Sequence, residues 1–282
     1  MEKEIKTVQD YLMAILPYQQ KALAKSIKKH PHLLYRGQTD KSGEDSKRQL
    51  IATIRRDWRK GLNEKEQKVI EHVRRCLRDP IKGKNKDWQI EALARHHGVP
   101  TRFLDWSSNC LTALWFSVSK CTGEQNVSTE SDDSLMSVVW ILETREDDFK
   151  IGKDENTPIP NGKGRKTTIF APQNIGRRAE LQDSFMMRQV YEATKERTQG
   201  VVSEKVDGDA VIVSVERNSL FRGRCWRVPI ANNVAVRRAL RDELSLCGYD
   251  DKSLFPNDCE LRGDISWRQL RDQCKEILGM NN

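Results

Sequence analysis

The densest run of chemically capable residues is "ALARHHGVPTRFLDWSSN", positions 92–109, which places His96, His97, Arg102, Asp105, Trp106, Ser107 and Ser108 in one helix-to-strand-to-helix passage. Adjacent histidines on a helix point about 100° apart, so they do not chelate as a pair at i and i+4 would, and no metal is expected here. A histidine at a helix end can instead satisfy the last carbonyls. Between the apolar strand and the next helix, Ser107, Ser108 or Asn109 can cap the helix; the functional alternative is that the same helix start holds an anionic or ribose-bearing ligand. A serine nucleophile is disfavoured because the Gly-x-Ser-x-Gly elbow is missing.

Two further stretches hold candidates. In "HLLYRGQTD", positions 32–40, Tyr35, Arg36, Gly37 and Gln38 close a short apolar run. An arginine at a strand end can present its planar fork to a phosphate or carboxylate, and the glycine after it lets backbone or ligand approach closely. The same Arg-Gly pair recurs within "SLFRGRCWRV" at Phe221, Arg222 and Gly223, where nothing nearby resembles a site, so the tripeptide alone proves little. In "RRAELQDSF", positions 177–185, Arg178, Glu180 and Gln182 flank the start of a strand. Alternating strand residues share a face, so Glu180 and Gln182 are both expected to point into one cleft.

The elements that must position these residues follow from periodicity. Ile5, Val8, Tyr11, Leu12, Ile15 and Leu16 predict a helix that breaks near Pro17 and resumes through Lys29. A strand broken by Gly37 follows, then a helix from Lys47 to about Lys60, one over "NEKEQKVIEHVRRCLRD" capped by Asn63, and one over "WQIEALARHHG" stopped by Gly98. "VPTRFLDWS" reads as a strand, "NCLTALWFSVSK" as a helix and "LMSVVWILE" as a buried strand; Thr144–Thr168 is a charged, Gly/Pro-rich loop. "TIFAPQN" and "SFMMRQV" read as strands flanking a turn or a helical turn at "IGRRAELQ", "DAVIVSV" and "WRVPI" as strands, and "NVAVRRALRDELSLCG" and "SWRQLRDQCKEIL" as helices. The expected fold is α+β, one domain with a mixed, mainly antiparallel sheet flanked by helices: an N-terminal helical extension over 1–30, the domain proper over 31–264 and a C-terminal helix over 265–282.

With 37% apolar and 32% charged residues, the 282-residue chain has the composition of a globular protein rather than a disordered one. It lacks an apolar run long enough to span a membrane, and "MEKEIKTVQD" lacks the pattern of a secretion signal, so a cytoplasmic protein is expected. The seven cysteines show no zinc-knuckle spacing and read as reduced, mostly buried thiols. Residues 1–60 hold 14 Lys and Arg against 7 Asp and Glu, whereas the rest of the chain is nearly balanced. This basic N-terminal face suits nucleic acid or simply a solvated helix.

Taken in order, Tyr35-Arg36-Gly37, "RHHGVPTRFLDWS", "RAELQDSF" and Leu254-Phe255-Pro256 resemble the motifs of the FRG domain family across about residues 30–264. Arg95 stands where that family usually has glutamine, and Asp183-Ser184 replaces a pair that usually includes glycine. The arrangement is similar, more distantly, to the ADP-ribosyltransferase fold. That resemblance implies NAD as ligand, with Arg36 on its diphosphate or ribose, Ser107 ordering the site, and Glu180 or Gln182 on the nicotinamide ribose. It implies NAD cleavage or ADP-ribose transfer in a toxin or antiviral effector, with Asp105 supplying the negative charge if Gln182 takes the third-motif position. Tyr35, Gly37, Gln38, His96, His97, Arg102 and Trp106 would line the ligand site. The alternative is a non-catalytic nucleotide- or nucleic-acid-binding module in which Arg36, Arg102 and the basic helix hold phosphates. A protein-interaction domain is the third reading.

Overall fold

A computed structural model describes residues 5–24, 29–40, 50–56, 62–83, 85–119, 136–151, 158, 167–173, 175–189, 192–193, 205–206, 210–211, 214–231, 233–255, 261 and 265–280. The chain runs through α1 (Val8–Leu23), β1 (Leu33–Asp40), α2 (Thr53–Arg56), α3 (Leu62–Cys76), α4 (Lys86–His96), β2 (Phe103–Ser107), α5 (Cys110–Val118) and β3 (Met136–Glu143). It continues with β4 (Thr168–Phe170), α6 (Arg177–Leu181), β5 (Ser184–Arg188), the short β6 (Glu192–Ala193), β7 (Lys205–Val206) and β8 (Ala210–Val211), then β9 (Cys225–Ile230), α7 (Val234–Leu246), α8 (Asp251–Leu254) and α9 (Trp267–Leu278).

Six strands form one sheet in the order β4-β5-β2-β1-β3-β9, and every neighbouring pair is antiparallel, so the fold is α+β with an antiparallel rather than mixed sheet. Strand alternation sends Leu33, Tyr35, Val139, Ile141, Val228 and Ile230 to one face, where they pack with α1, α5 and α7. Farther along that face, Phe103, Met186 and Phe170 pack with α3, α4 and α9. The opposite face carries Leu34, Leu104, Trp106, Val138, Trp140 and Met187 against Leu50, Val215 and Phe221.

The two helical blocks meet where the sheet is weakest. β1 and β3 pair along eight positions, but β1 and β2 pair only at Tyr35 and Ser107. Beyond that single pair the first two strands part, and the cleft described below opens there.

Several boundaries differ from expectation. Pro17 does not break α1, which is capped by the Thr7 hydroxyl accepting from the Asp10 N–H and runs on through Leu23. The helix also buries Val8, Tyr11, Ile15 and Ala22 in the core. β1 continues through Gly37 to Asp40. Asn63 lies inside α3 rather than capping it. Of the helix expected over 47–60, Thr53–Arg56 is helical within the described residues; of "DAVIVSV", Ala210–Val211 is strand, and 209, 212 and 213 lie outside the described residues. Gly98 does end α4, with φ at +83° just after the His97 C-cap. The five described cysteines are free thiols, but only Cys274 is buried; Cys247 is exposed and the rest are intermediate.

Candidate functional site

β1, β2, α4, α5 and α6 surround a cleft of about 440 Å³. β2 contributes Asp105 and Ser107, which share the sheet face between the helical blocks. β1 contributes Tyr35, Arg36, Gly37 and Gln38; α4 contributes Arg95 and His96, α5 Phe116, and α6 Arg178.

Asp105 is the only carboxylate lining this cleft among the described residues. Its Oδ2 accepts from Arg95 Nε at 2.8 Å and lies 2.7 Å from Arg95 Nη2. Arg36 Nη1 lies 3.5 Å from the same oxygen and donates to the Asp105 backbone carbonyl at 2.5 Å. The Arg36 guanidinium therefore takes up a strand carbonyl where the β1–β2 ladder has stopped. Burial acts to raise the Asp105 pKa, but the positive charges of Arg95, Arg36 and His96 outweigh it and hold the carboxyl down at about 2. Asp105 is ionised at neutral pH, and it is too weak a base to abstract protons efficiently. It can accept hydrogen bonds and stabilise positive charge. Arg95 also donates to Thr53 Oγ1 at 3.0 Å, which ties α2 into the site.

Of the two close approaches that its position suggests, backbone or ligand, Gly37 admits backbone. A Cβ there would come within 2.6 Å of the Ser117 backbone nitrogen and 2.9 Å of Phe116 Cβ. The glycine is required by the close approach of α5 rather than by a ligand. By contrast, a Cβ at Gly223 meets nothing within 4 Å, so the second Arg-Gly pair lacks this packing constraint.

The start of α5 is closed as well. Asn109 is the cap, its Oδ1 accepting from the Leu111 and Thr112 N–H groups, so this helix start does not present those donors to an anion. Ser107 Oγ donates to the Gln182 carbonyl at 2.7 Å and accepts from the Asn109 N–H, bracing β2 to the end of α6.

Of the residues singled out in the sequence, Tyr35, Arg36, Gly37, Gln38, His96, Asp105, Trp106, Ser107 and Gln182 come together here. Glu180, Arg102, His97 and Ser108 do not. Glu180 and Gln182 do not share a strand face, because "RRAEL" is a helical turn and residues two apart on it diverge by about 200°. Gln182 turns inward, its Nε2 donating to the Leu254 carbonyl at 2.7 Å, while Glu180 is exposed over a separate shallow depression beside Asp183. Arg102 is fully buried and salt-bridged to Glu66 on α3, with Nε–Oε1 at 2.9 Å, so it holds helices rather than a ligand. His97 stacks on Trp267 of α9 at 3.9 Å between ring centroids. Burial first, then the charges of Arg178 and His96, push its pKa down to about 3.

Arg95 is the cationic lining residue that the sequence does not single out, whereas Arg178 is singled out beside Glu180 and Gln182 and does reach the cleft. Arg95 departs from the usual glutamine of the second motif, and that departure was the available signal. Arg178 sits over the ring of Phe255, 4.3 Å from its centroid, which no local pattern announces. Among the described residues no cluster of three or more His, Cys, Asp or Glu is arranged to hold a metal, and no helix is long and apolar enough to cross a membrane.

Residues 31–126, from just before β1 to just beyond α5, match the FRG domain family. The chain carries an FRG domain. The matched segment contains the Tyr-Arg-Gly strand and the "HHGVPTRFLDWS" passage, and thus both partners of the Arg36–Asp105 contact. No curated protein and no solved structure matches the chain significantly. Within the FRG domain, the Tyr-Arg-Gly motif supplies a guanidinium that spans the open sheet and a glycine that admits α5.

Proposed function

We propose that this FRG-domain cleft binds NAD or a closely related diphosphate-bearing nucleotide. One observation carries the reading: Arg36, Arg95 and Arg178, from three separated stretches, line with His96 one cleft of nucleotide size that holds a single carboxylate. Guanidinium groups suit phosphate oxygens, and the excess of cations over the one anion favours a multiply charged ligand. Arg36 and Arg178 meet the diphosphate. Arg95 is engaged by Asp105 and Thr53 and acts by holding that carboxylate in place.

Asp105, with a side chain 34% exposed to the cleft, meets the ribose. In a cleavage reaction the nicotinamide–ribose bond breaks with both electrons leaving on nicotinamide, positive charge develops on the sugar, and water or an acceptor hydroxyl adds to the anomeric carbon. An ionised, fixed carboxylate lowers the energy of that charge without accepting a proton. Glu180 has no part in this reading, and Gln182 serves as a brace.

The non-catalytic reading, a nucleotide sensor, is favoured by the pairing of Asp105 with Arg95 and Arg36, which already offsets the negative charge that cleavage would draw on. Incubation with NAD separates the two. Nicotinamide release that is lost in Asp105→Asn supports cleavage, whereas an NAD-dependent thermal shift without release supports a sensor. Neither release nor shift would exclude NAD.

A further inference from the structure

The third and fourth sequence motifs meet on the rim of the cleft, and their contacts form a chain that ends on Arg178. Gln182 Nε2 donates to the Leu254 carbonyl at 2.7 Å, fixing the end of α8 against α6. The preceding turn is fixed too: Asp250 and Ser253 form a reciprocal cap on α8, and Asn109 Nδ2 donates to the Tyr249 hydroxyl at 2.9 Å. Phe255 follows immediately. Its ring packs on Trp115 and Phe116 of α5, with centroids 5.4 and 5.8 Å away, and offers a face to the Arg178 guanidinium at 4.3 Å.

We propose that Phe255 is a positioning residue whose ring face holds the Arg178 guanidinium toward the anionic part of the ligand. This rests on the nucleotide reading of the cleft and assigns a part in it to the Leu254-Phe255 motif. A guanidinium is delocalised and weakly hydrated, so it stacks on an aromatic face without giving up the N–H edge that meets phosphate. A long arginine side chain whose guanidinium is already held against a ring loses fewer rotamers on binding. The contact removes part of the ordering cost before the ligand arrives. Residues 249–255 thus act as a strap from the α5 cap to α6, and Gln182 is the fastening that keeps Phe255 in place.

The test is a double-mutant cycle read by calorimetric titration of the whole chain at low salt, with ADP and with inorganic pyrophosphate as probes. Phe255→Met keeps the bulk and removes the ring face, Phe255→Tyr keeps the ring, and Arg178→Gln removes the charge; melting temperature is followed for each. Phe255→Met is expected to weaken ADP binding about fivefold, Phe255→Tyr to restore it, and Phe255→Met to add nothing once Arg178 is glutamine. Equal loss from Phe255→Met in both backgrounds, or failure of tyrosine to restore binding, would overturn the positioning role in favour of simple wall packing. If the parent protein binds pyrophosphate but not ADP, the strap stands or falls by the same cycle on pyrophosphate while the nucleotide reading fails. Binding of neither probe overturns both.

Discussion

Arg95 holds Asp105 through two nitrogens on one carboxylate oxygen, at 2.8 Å from Nε and 2.7 Å from Nη2. Arg95 thus adds a second guanidinium to the Arg36–Asp105 contact. The pair explains why a partly exposed aspartate keeps its charge far into acid.

The Asp105 carboxyl is lowered from 3.8 to about 2 on folding. A depressed acid stabilises the fold fully above its unfolded value and loses that contribution as pH falls through the folded one. Asp105→Asn should therefore flatten the part of the stability loss between about pH 4 and pH 2 that belongs to this residue, measured as melting temperature against pH. An unchanged acid limb would show that the clamp is not formed in solution.

His97 gives a second window. Its pKa falls from 6.5 to about 3 on folding, so stability should decline as pH is lowered through that range, because the unfolded chain takes up the proton first. His97→Phe keeps a ring against Trp267 and removes the titration. Chemical denaturation at pH 7 and pH 5 should show a smaller difference for the variant than for the parent protein.

Gly37→Ala places a methyl group against the backbone of α5 and is expected to cost about 2 kcal/mol or more. Gly223→Ala, at φ +74° with open space around it, should cost about 1 kcal/mol from backbone strain alone. Urea denaturation of the two variants compares them directly. Equal losses would mean that α5 does not approach β1 as closely as described.

Glu66→Gln removes the charge partner of the fully buried Arg102, and such a loss costs about 3 kcal/mol or more. The expected result is a large fall in the urea midpoint with ligand affinity preserved in the protein that remains folded. A selective loss of ligand binding at normal stability would return Arg102 to the site.

The parts of this architecture that the sequence disclosed are those governed by local rules. Gly98 ends α4 because a left-handed residue was needed there, and Asn109 starts α5 because its side chain satisfies two N–H groups. The convergence of Arg36 and Asp105 was foreseeable from two motifs in order. Long-range partners were not. Arg36 and Arg102 look alike in sequence, and only the arrival of Glu66 from α3 turns one of them inward. "IGRRAELQ" reads as a turn or a helical turn, and the helical outcome sends Glu180 and Gln182 to two faces rather than to the single face that strand alternation gives them. Gly37 pointed to a close approach, but the approaching group, α5, lies some 75 residues later. Asp183 adopts φ +47°, a left-handed conformation that aspartate tolerates better than most residues.

The most direct test of the nucleotide reading uses the chain's own duplicate tripeptide as a control. NAD binding is measured by calorimetric titration for the parent protein, for Arg36→Gln and for Arg222→Gln. The account predicts binding by the parent, at least a tenfold loss for Arg36→Gln, consistent with losing about 1.4 kcal/mol or more of charge-assisted contact, and no change for Arg222→Gln. Equal affinities for the two variants, or no binding by the parent protein, would contradict it.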